Sequence, residues 1–196
     1  MLQLSTLCVF CGSNPGADPA YADAARRTGE LLARSGIAIV FGGGRVGLMG
    51  RVAEAALAAG GKVIGVIPKV LMRKELAHDS LTEMHVVNTM HERKQLMADL
   101  SDGFVALPGG FGTLEEFCEI LTWAQLGLHA KPCGLLNVKR YYDSLLALFD
   151  HAVREQFVRP GHLDMVLTDD DPTRLVDRMR RFQAPVVEKW LTPQTT

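Results

Sequence analysis

The stretch IAIVFGGGRVGLMGRVAEAALAAGGKVIGVI, residues 37–67, decides the fold. It opens on a short apolar run, Ile37 to Phe41, and passes through a glycine-rich turn. From Gly47 to Ala59 it carries apolar residues at helical spacing among Ala, Leu, Glu and Arg. Gly60-Gly61 stand where a helix C-terminus favours positive φ, and a second apolar run, Val63 to Ile67, follows. Strand, turn, helix and strand at these lengths make a parallel crossover unit. The alternation continues outward in both directions. Strands are expected at Thr6 to Phe10, Ile37 to Phe41, Val63 to Ile67, Met84 to Val87, Gly103 to Leu107 and Pro132 to Leu136. Helices are expected at Pro19 to Ser35, Gly47 to Ala59, Thr89 to Leu100, Thr113 to Leu126 and Tyr142 to Gln156. Past Val158 the pattern weakens, except for a last helix over Thr173 to Arg181 with Asp171 as its N-cap. The expected class is α/β: one doubly wound domain over residues 1–183, its mainly parallel sheet flanked by helices, and a tail over residues 184–196.

Composition agrees with this class. The 196 residues are 47% hydrophobic, 22% charged and 7% aromatic, the profile of a globular chain. With 21 Lys and Arg against 22 Asp and Glu the formal charge is −1, so the basic excess that nucleic-acid and membrane-surface binding draw on is missing. No apolar run approaches the roughly 20 residues of a membrane span. Four cysteines make no disulfide scaffold, and Met1-Leu2-Gln3-Leu4-Ser5 does not read as a signal peptide, so a cytoplasmic location is expected. Cys8-x-x-Cys11 has redox spacing but falls on a strand and its end, and Cys118 and Cys133 lack the close spacing of a zinc site. No metal is expected. Trp123, with Ile120, Leu121 and Leu126, reads as core or as an interface between copies.

In an open parallel sheet the ligand sits outside the carboxyl ends of the strands. Three turns there are unusual: Cys11-Gly12-Ser13-Asn14-Pro15-Gly16, Gly42-Gly43-Gly44-Arg45-Val46-Gly47-Leu48-Met49-Gly50, and Pro108-Gly109-Gly110-Phe111-Gly112-Thr113. Glycines let backbone amides approach an anion, and a helix start adds unpaired N–H groups and a favourable dipole, so phosphate is the natural ligand. Gly42-x-Gly44-x-x-Gly47 also matches a dinucleotide fingerprint, but the next strand ends in Val66-Ile67-Pro68-Lys69, with no acid for ribose hydroxyls. No Gly-Lys-Ser or Gly-Lys-Thr of a P-loop occurs. The alternative for the Gly42 segment is tight packing of helix on strand. Thr113-x-x-Glu116 also reads as a capping box, which leaves the glycine cluster and Pro108 unexplained. Met90-His91-Glu92-Arg93-Lys94 opens the preceding helix, where cations oppose the dipole; Arg93 and Lys94 point to an anionic ligand or to a solvated face. Pro68 to Ser80, with Lys69, Arg73, Lys74, Glu75, His78 and Asp79, reads as a polar flap beside a site or as a surface loop.

Taken in order, these segments resemble the LONELY GUY (LOG) family through about Leu136. The resemblance implies a Rossmann-like fold, a homodimer, no cofactor, and hydrolysis of the N-glycosidic bond of adenine-type nucleoside 5′-monophosphates, either cytokinin riboside 5′-monophosphates or AMP. The products are free base and ribose 5-phosphate. It places the catalytic arginine at Arg93 and the catalytic glutamate at Glu116. It places substrate contacts at Ser13, Glu75, Lys94, Gly109, Gly110, Gly112, Thr113 and Thr122. Asn14 stands where many relatives carry a second serine. Glu116 and Thr122 lie roughly 240° apart around an unbroken helix, so Thr122 serves another part of the site or the dimer.

Departure of a base from ribose builds positive charge on the sugar, which a fixed carboxylate stabilises; Glu116 takes that role and orients water. Arg93 stays protonated and holds phosphate, sugar or Glu116 in place. Two other functions remain open: a non-catalytic nucleotide carrier or sensor, and a pyridoxal-phosphate decarboxylase, the family's older label. The decarboxylase needs a Schiff-base lysine, and Lys94 is the only lysine adjacent to a proposed motif.

Overall fold

Seven strands and seven helices emerge in a computed structural model that describes residues 1–72, 78 and 80–185. The strands are β1 (Thr6–Phe10), β2 (Ala38–Phe41), β3 (Val63–Pro68), β4 (Glu83–Val87), β5 (Gly103–Ala106), β6 (Cys133–Leu136) and β7 (Val166–Asp169). The helices are α1 (Pro19–Arg34), α2 (Gly47–Ala58), α3 (Met90–Asp99), α4 (Phe111–Gln125), α5 (Asp143–Arg154), the single turn α6 (Pro160–Leu163) and α7 (Pro172–Arg180), with a 3-10 turn at Val138–Arg140. Local chemistry sets the ends. Asp18 caps α1 by accepting from the Ala20 amide, with Pro19 in the first turn, and Gly36 beyond its end takes φ +68°. Asp171 caps α7 as the sequence indicates, accepting from Thr173 and Arg174.

The period-two alternation of each inner strand builds two cores. Leu7 and Val9 of β1 pack with Ile39, Phe41, α1, α2 and α7, whereas Cys8 and Phe10 pack with Val40, Phe104, α3 and α4 on the opposite face. Helices cover both sides of one sheet of order β4-β3-β2-β1-β5-β6-β7, and every pairing is parallel. The chain winds from β1 to β4 on one side, then α3 carries it back across so that β5 lands on the other side of β1. Strand order therefore reverses between β1 and β5, where a crevice must open at the carboxyl ends.

Two elements depart from the sequence reading. β7 lies where the alternation weakens: it is four residues of an edge strand, VLTD, half-buried throughout, so no apolar run marks it. Helix α4 begins at Phe111, two residues before the expected start. Among the described residues no helix is long and apolar enough to cross a membrane. Arg73, Lys74, Glu75 and Asp79 of the expected flap, and residues 186–196 of the expected tail, lie outside the described residues.

Candidate active site

The sheet order brings the carboxyl ends of β2, β1 and β5 side by side, so the three glycine turns converge. An anion at strand ends faces backbone carbonyls, which repel it unless they are engaged. Here they are engaged. Phe10 O accepts from Leu107 N at 2.9 Å, Gly12 O from Leu48 N at 2.9 Å, Gly43 O from His78 N at 3.1 Å and Pro108 O from Gly12 N at 3.1 Å. Side chains reach others: Arg93 Nη2 donates to Gly42 O at 3.3 Å, and the Tyr142 and Tyr141 hydroxyls donate to Leu107 O and Gly109 O at 2.6 and 2.5 Å. Side chains are excluded by this closeness. A Cβ on Gly42 would lie 1.9 Å from Arg93 Nη2, and one on Gly109 would lie 2.1 Å from Thr113 Oγ1 and 2.8 Å from Gly12 N.

The start of α4 completes an amide cradle. Its N-cap is Gly110, no side chain caps it, and its first turn holds no acid. The amides of Phe111, Gly112 and Thr113 therefore have no intrahelical carbonyl and a positive dipole end behind them. Thr113 is the third helical residue and lies buried, so Thr113-x-x-Glu116 is not a capping box; the capping interpretation fails because the helix has already begun. A Cβ on Gly110 or Gly112 would meet nothing within 4 Å. Packing thus demands glycine at 109 but not at 110 or 112. Gly12, Ser13, Leu48, Gly109, Gly110 and Tyr141 line the adjoining cleft of about 280 Å³, with Tyr21 also at its wall. Ser13 is exposed there.

Arg93 stands on α3 and Glu116 on α4. Arg93 is only 6% exposed although charged, and its guanidinium is tied to the Gly42 carbonyl. Burial pushes the Cys8 thiol well above its usual pKa, the Glu116 charge adds to the rise, and Arg93 opposes it. Cys11 is likewise raised by burial and then by Glu116. Both charges act on the Cys8 thiol of β1, and that of Glu116 also on Cys11. The same burial leaves these thiols protonated and inert.

Other sequence candidates lie elsewhere. Lys94 turns toward α4, where Nζ meets Glu115 at 2.6 Å and Glu119 at 2.9 Å. Burial alone would lower its pKa, but the bonds to Glu115 and Glu119 outweigh it and the net shift is upward. Its cation is therefore met by the protein itself. Thr122 donates to Cys118 O at 2.8 Å and lines a separate cavity of about 170 Å³ with Leu121, Gln125, Phe149 and His162. It does not line the glycine cleft. Glu75 is not among the described residues. Neither Tyr141 nor Tyr142 stands out as a site residue in the sequence, where Tyr142 reads only as a helix start. Their signal was position: they follow the end of β6, at the same carboxyl edge as the glycine turns.

Comparison with known proteins adds an independent line. Residues 49–179 match the family model described as "possible lysine decarboxylase". A probable cytokinin riboside 5′-monophosphate phosphoribohydrolase of Oryza sativa subsp. japonica is 51% identical over 176 residues, covering 90% of this chain and 78% of that protein. The cytokinin riboside 5′-monophosphate phosphoribohydrolase of Rhodococcoides fascians is 52% identical over 167 residues, covering 85% and 84%. One from Arabidopsis thaliana is 47% identical over 186 residues, covering 95% and 86%. Among solved structures, the molybdenum cofactor binding protein of Rippkaea orientalis superposes with a TM-score of 0.68 at 23% identity, covering 92% of this chain and 98% of that one. The molybdenum cofactor carrier protein of Chlamydomonas reinhardtii gives 0.69 at 20% identity, covering 91% and 98%. At that identity the likeness is one of fold.

Proposed function

The chain belongs to the LONELY GUY family of cytokinin riboside 5′-monophosphate phosphoribohydrolases, and from that membership we propose that it hydrolyses adenine-type nucleoside 5′-monophosphates to free base and ribose 5-phosphate. The observation that carries the phosphate end of this reading is the start of α4. Its dipole is uncapped and uncountered by acid, and glycines stand at 110 and 112, where the fold would accept a side chain. Helix propensity argues against glycine at 112, whereas an oxyanion resting on the amides argues for it. Gly109, Gly110, Gly112, Thr113 and Ser13 surround the phosphate. Lys94 and Thr122 are outside this first grip, and Lys94 acts on it through Glu115 and Glu119 of α4.

The reaction breaks the bond from the anomeric carbon to the base nitrogen. Water oxygen bonds to that carbon, the base leaves with the electron pair, and a water proton goes to the base. Positive charge builds on the ribose ring between these events, and Glu116, one helical turn past the cradle, faces it and orients the water. Arg93 keeps a fixed positive charge at the floor, where it holds the carboxylate and sugar in register. The phosphate is remote from the bond that breaks, so its binding energy serves to position the ribose. A homodimer is part of the same reading.

The ion pairs of Lys94 speak against a decarboxylase. A Schiff-base lysine needs a neutral amine, and two carboxylates hold this one as ammonium. The deciding experiment incubates the protein with AMP and with a cytokinin riboside 5′-monophosphate and measures free base and ribose 5-phosphate. Equimolar release is expected. Glu116→Gln should lower kcat by about a hundredfold or more while nucleotide binding persists. Binding without turnover by the unaltered protein would make it a carrier.

A further inference from the structure

The turn after β6 adopts a backbone that its residue types do not favour. Lys139 and Arg140 both lie in the left-handed region, with φ of +51° and +62°. Such strain persists only where the surroundings over-determine it. They do so here. Asn137 Oδ1 accepts from the Tyr142 amide at 2.7 Å, Asn137 Nδ2 donates to Asp143 Oδ1 at 2.8 Å, and Lys139 Nζ meets Asp18 Oδ2 at 2.7 Å. This conformation delivers two successive tyrosine hydroxyls to the loop after β5. Tyr142 is 1% exposed, and its bond to Leu107 O belongs to the core. Tyr141 differs: it is 42% exposed, stands edge-on to Tyr21 at 5.9 Å, and lines the cleft beside Gly109 and Gly110. So exposed a ring owes little of its placement to burial. The Tyr142 ring also meets it edge-on at 5.0 Å, and the Tyr141 hydroxyl donates to Gly109 O at 2.5 Å.

We propose that Tyr141 is a positioning residue for the nucleotide's phosphate, acting through the Gly109 carbonyl. A trans peptide is planar, so the carbonyl of Gly109 and the amide of Gly110 point in opposite directions, and one bond to the carbonyl orients both. The strained turn is the device that holds the hydroxyl there. This inference rests on the nucleotide reading above and adds to it a residue that tunes affinity for the phosphate without touching the reacting carbon.

Tyr141→Phe removes the hydroxyl and keeps the ring against Tyr21. Calorimetric titration with ribose 5-phosphate, and with AMP in a Glu116→Gln background that consumes it slowly, is compared with and without the change, alongside steady-state release of adenine from AMP by the otherwise unaltered proteins and thermal unfolding. Expected are Kd values raised about five- to tenfold for both ligands, the scale of one neutral hydrogen bond, with KM rising in parallel, kcat within about twofold and the unfolding midpoint little changed. Equal Kd values in the two proteins overturn the proposal, as does a fall in kcat with Kd unchanged. Should the unaltered protein bind AMP without releasing adenine, the hydrolase reading falls and the Kd comparison still decides the role of Tyr141. Failure to bind either ligand overturns both.

Discussion

Gly112 states the logic of the site in a single residue. It sits inside α4, where glycine is less favourable than alanine by up to about 1 kcal/mol, and a Cβ there would touch nothing in the protein. Gly112→Ala should leave the unfolding free energy unchanged or raise it by up to about 1 kcal/mol, while AMP affinity falls about tenfold or more; urea unfolding and calorimetry measure the two. A loss of stability without loss of affinity would mean that the fold, not the ligand, needs this glycine. Arg93 should behave oppositely, because its charge is buried and bonded. Arg93→Ala leaves the Gly42 carbonyl without that donor, which costs about 1–3 kcal/mol, and should also lower kcat by about a hundredfold. At this scale the sequence was legible where chemistry is local. The glycines and Arg93 could be singled out from their neighbours in the chain. The tyrosines at 141 and 142 could not, since their partners, Gly109 and Leu107, are more than thirty residues away.

Elements show the same divide between local and distant causes. Asp171-Pro172 marked the start of α7 because a cap is written in adjacent residues, and the structure forms it with two amides. Thr113 misled because a hydroxyl three residues before a glutamate imitates a cap, while the true start at Phe111 depends on how the loop leaves β5. β7 was hidden because an edge strand half-exposed to water needs no apolar run. The α7 cap also sets a pH response. Burial pushes the Asp171 carboxyl up, but the bonds from Arg174, Arg27 and Thr173 outweigh it, and the pKa lies below the ordinary value; Asp169, first raised by burial, is likewise lowered by the Asp171 amide and Arg174. A depressed folded pKa stabilises above the unfolded value of about 4, and that stability is lost as pH falls through the folded one. The unfolding midpoint should therefore drop as pH falls from 5 toward 3. Asp171→Ala should cost about 1 kcal/mol at pH 7 and make that drop shallower, with nucleotide hydrolysis unchanged. An equally steep drop in the variant would remove Asp171 from the explanation.

At the scale of the whole molecule, the decisive fact is the reversal of strand order between β1 and β5, which gathers turns from β1, β2 and β5 at one edge. The alternation of strands and helices announced a parallel sheet, but strand order follows from long-range packing and had to come from the structure. Since the ligand binds the folded state, AMP at about a hundred times its Kd should stabilise the protein by about 2.7 kcal/mol, a rise of roughly 5–10 °C in the unfolding midpoint. No shift at that concentration would place the ligand on the unfolded chain or nowhere. The central claim is geometric, and a crystal structure of the Glu116→Gln protein with AMP tests it most directly. The phosphate oxygens should lie about 3 Å from the amides of Gly112 and Thr113, with the anomeric carbon facing residue 116. Phosphate bound away from the start of α4, or a ribose turned from residue 116, would contradict it.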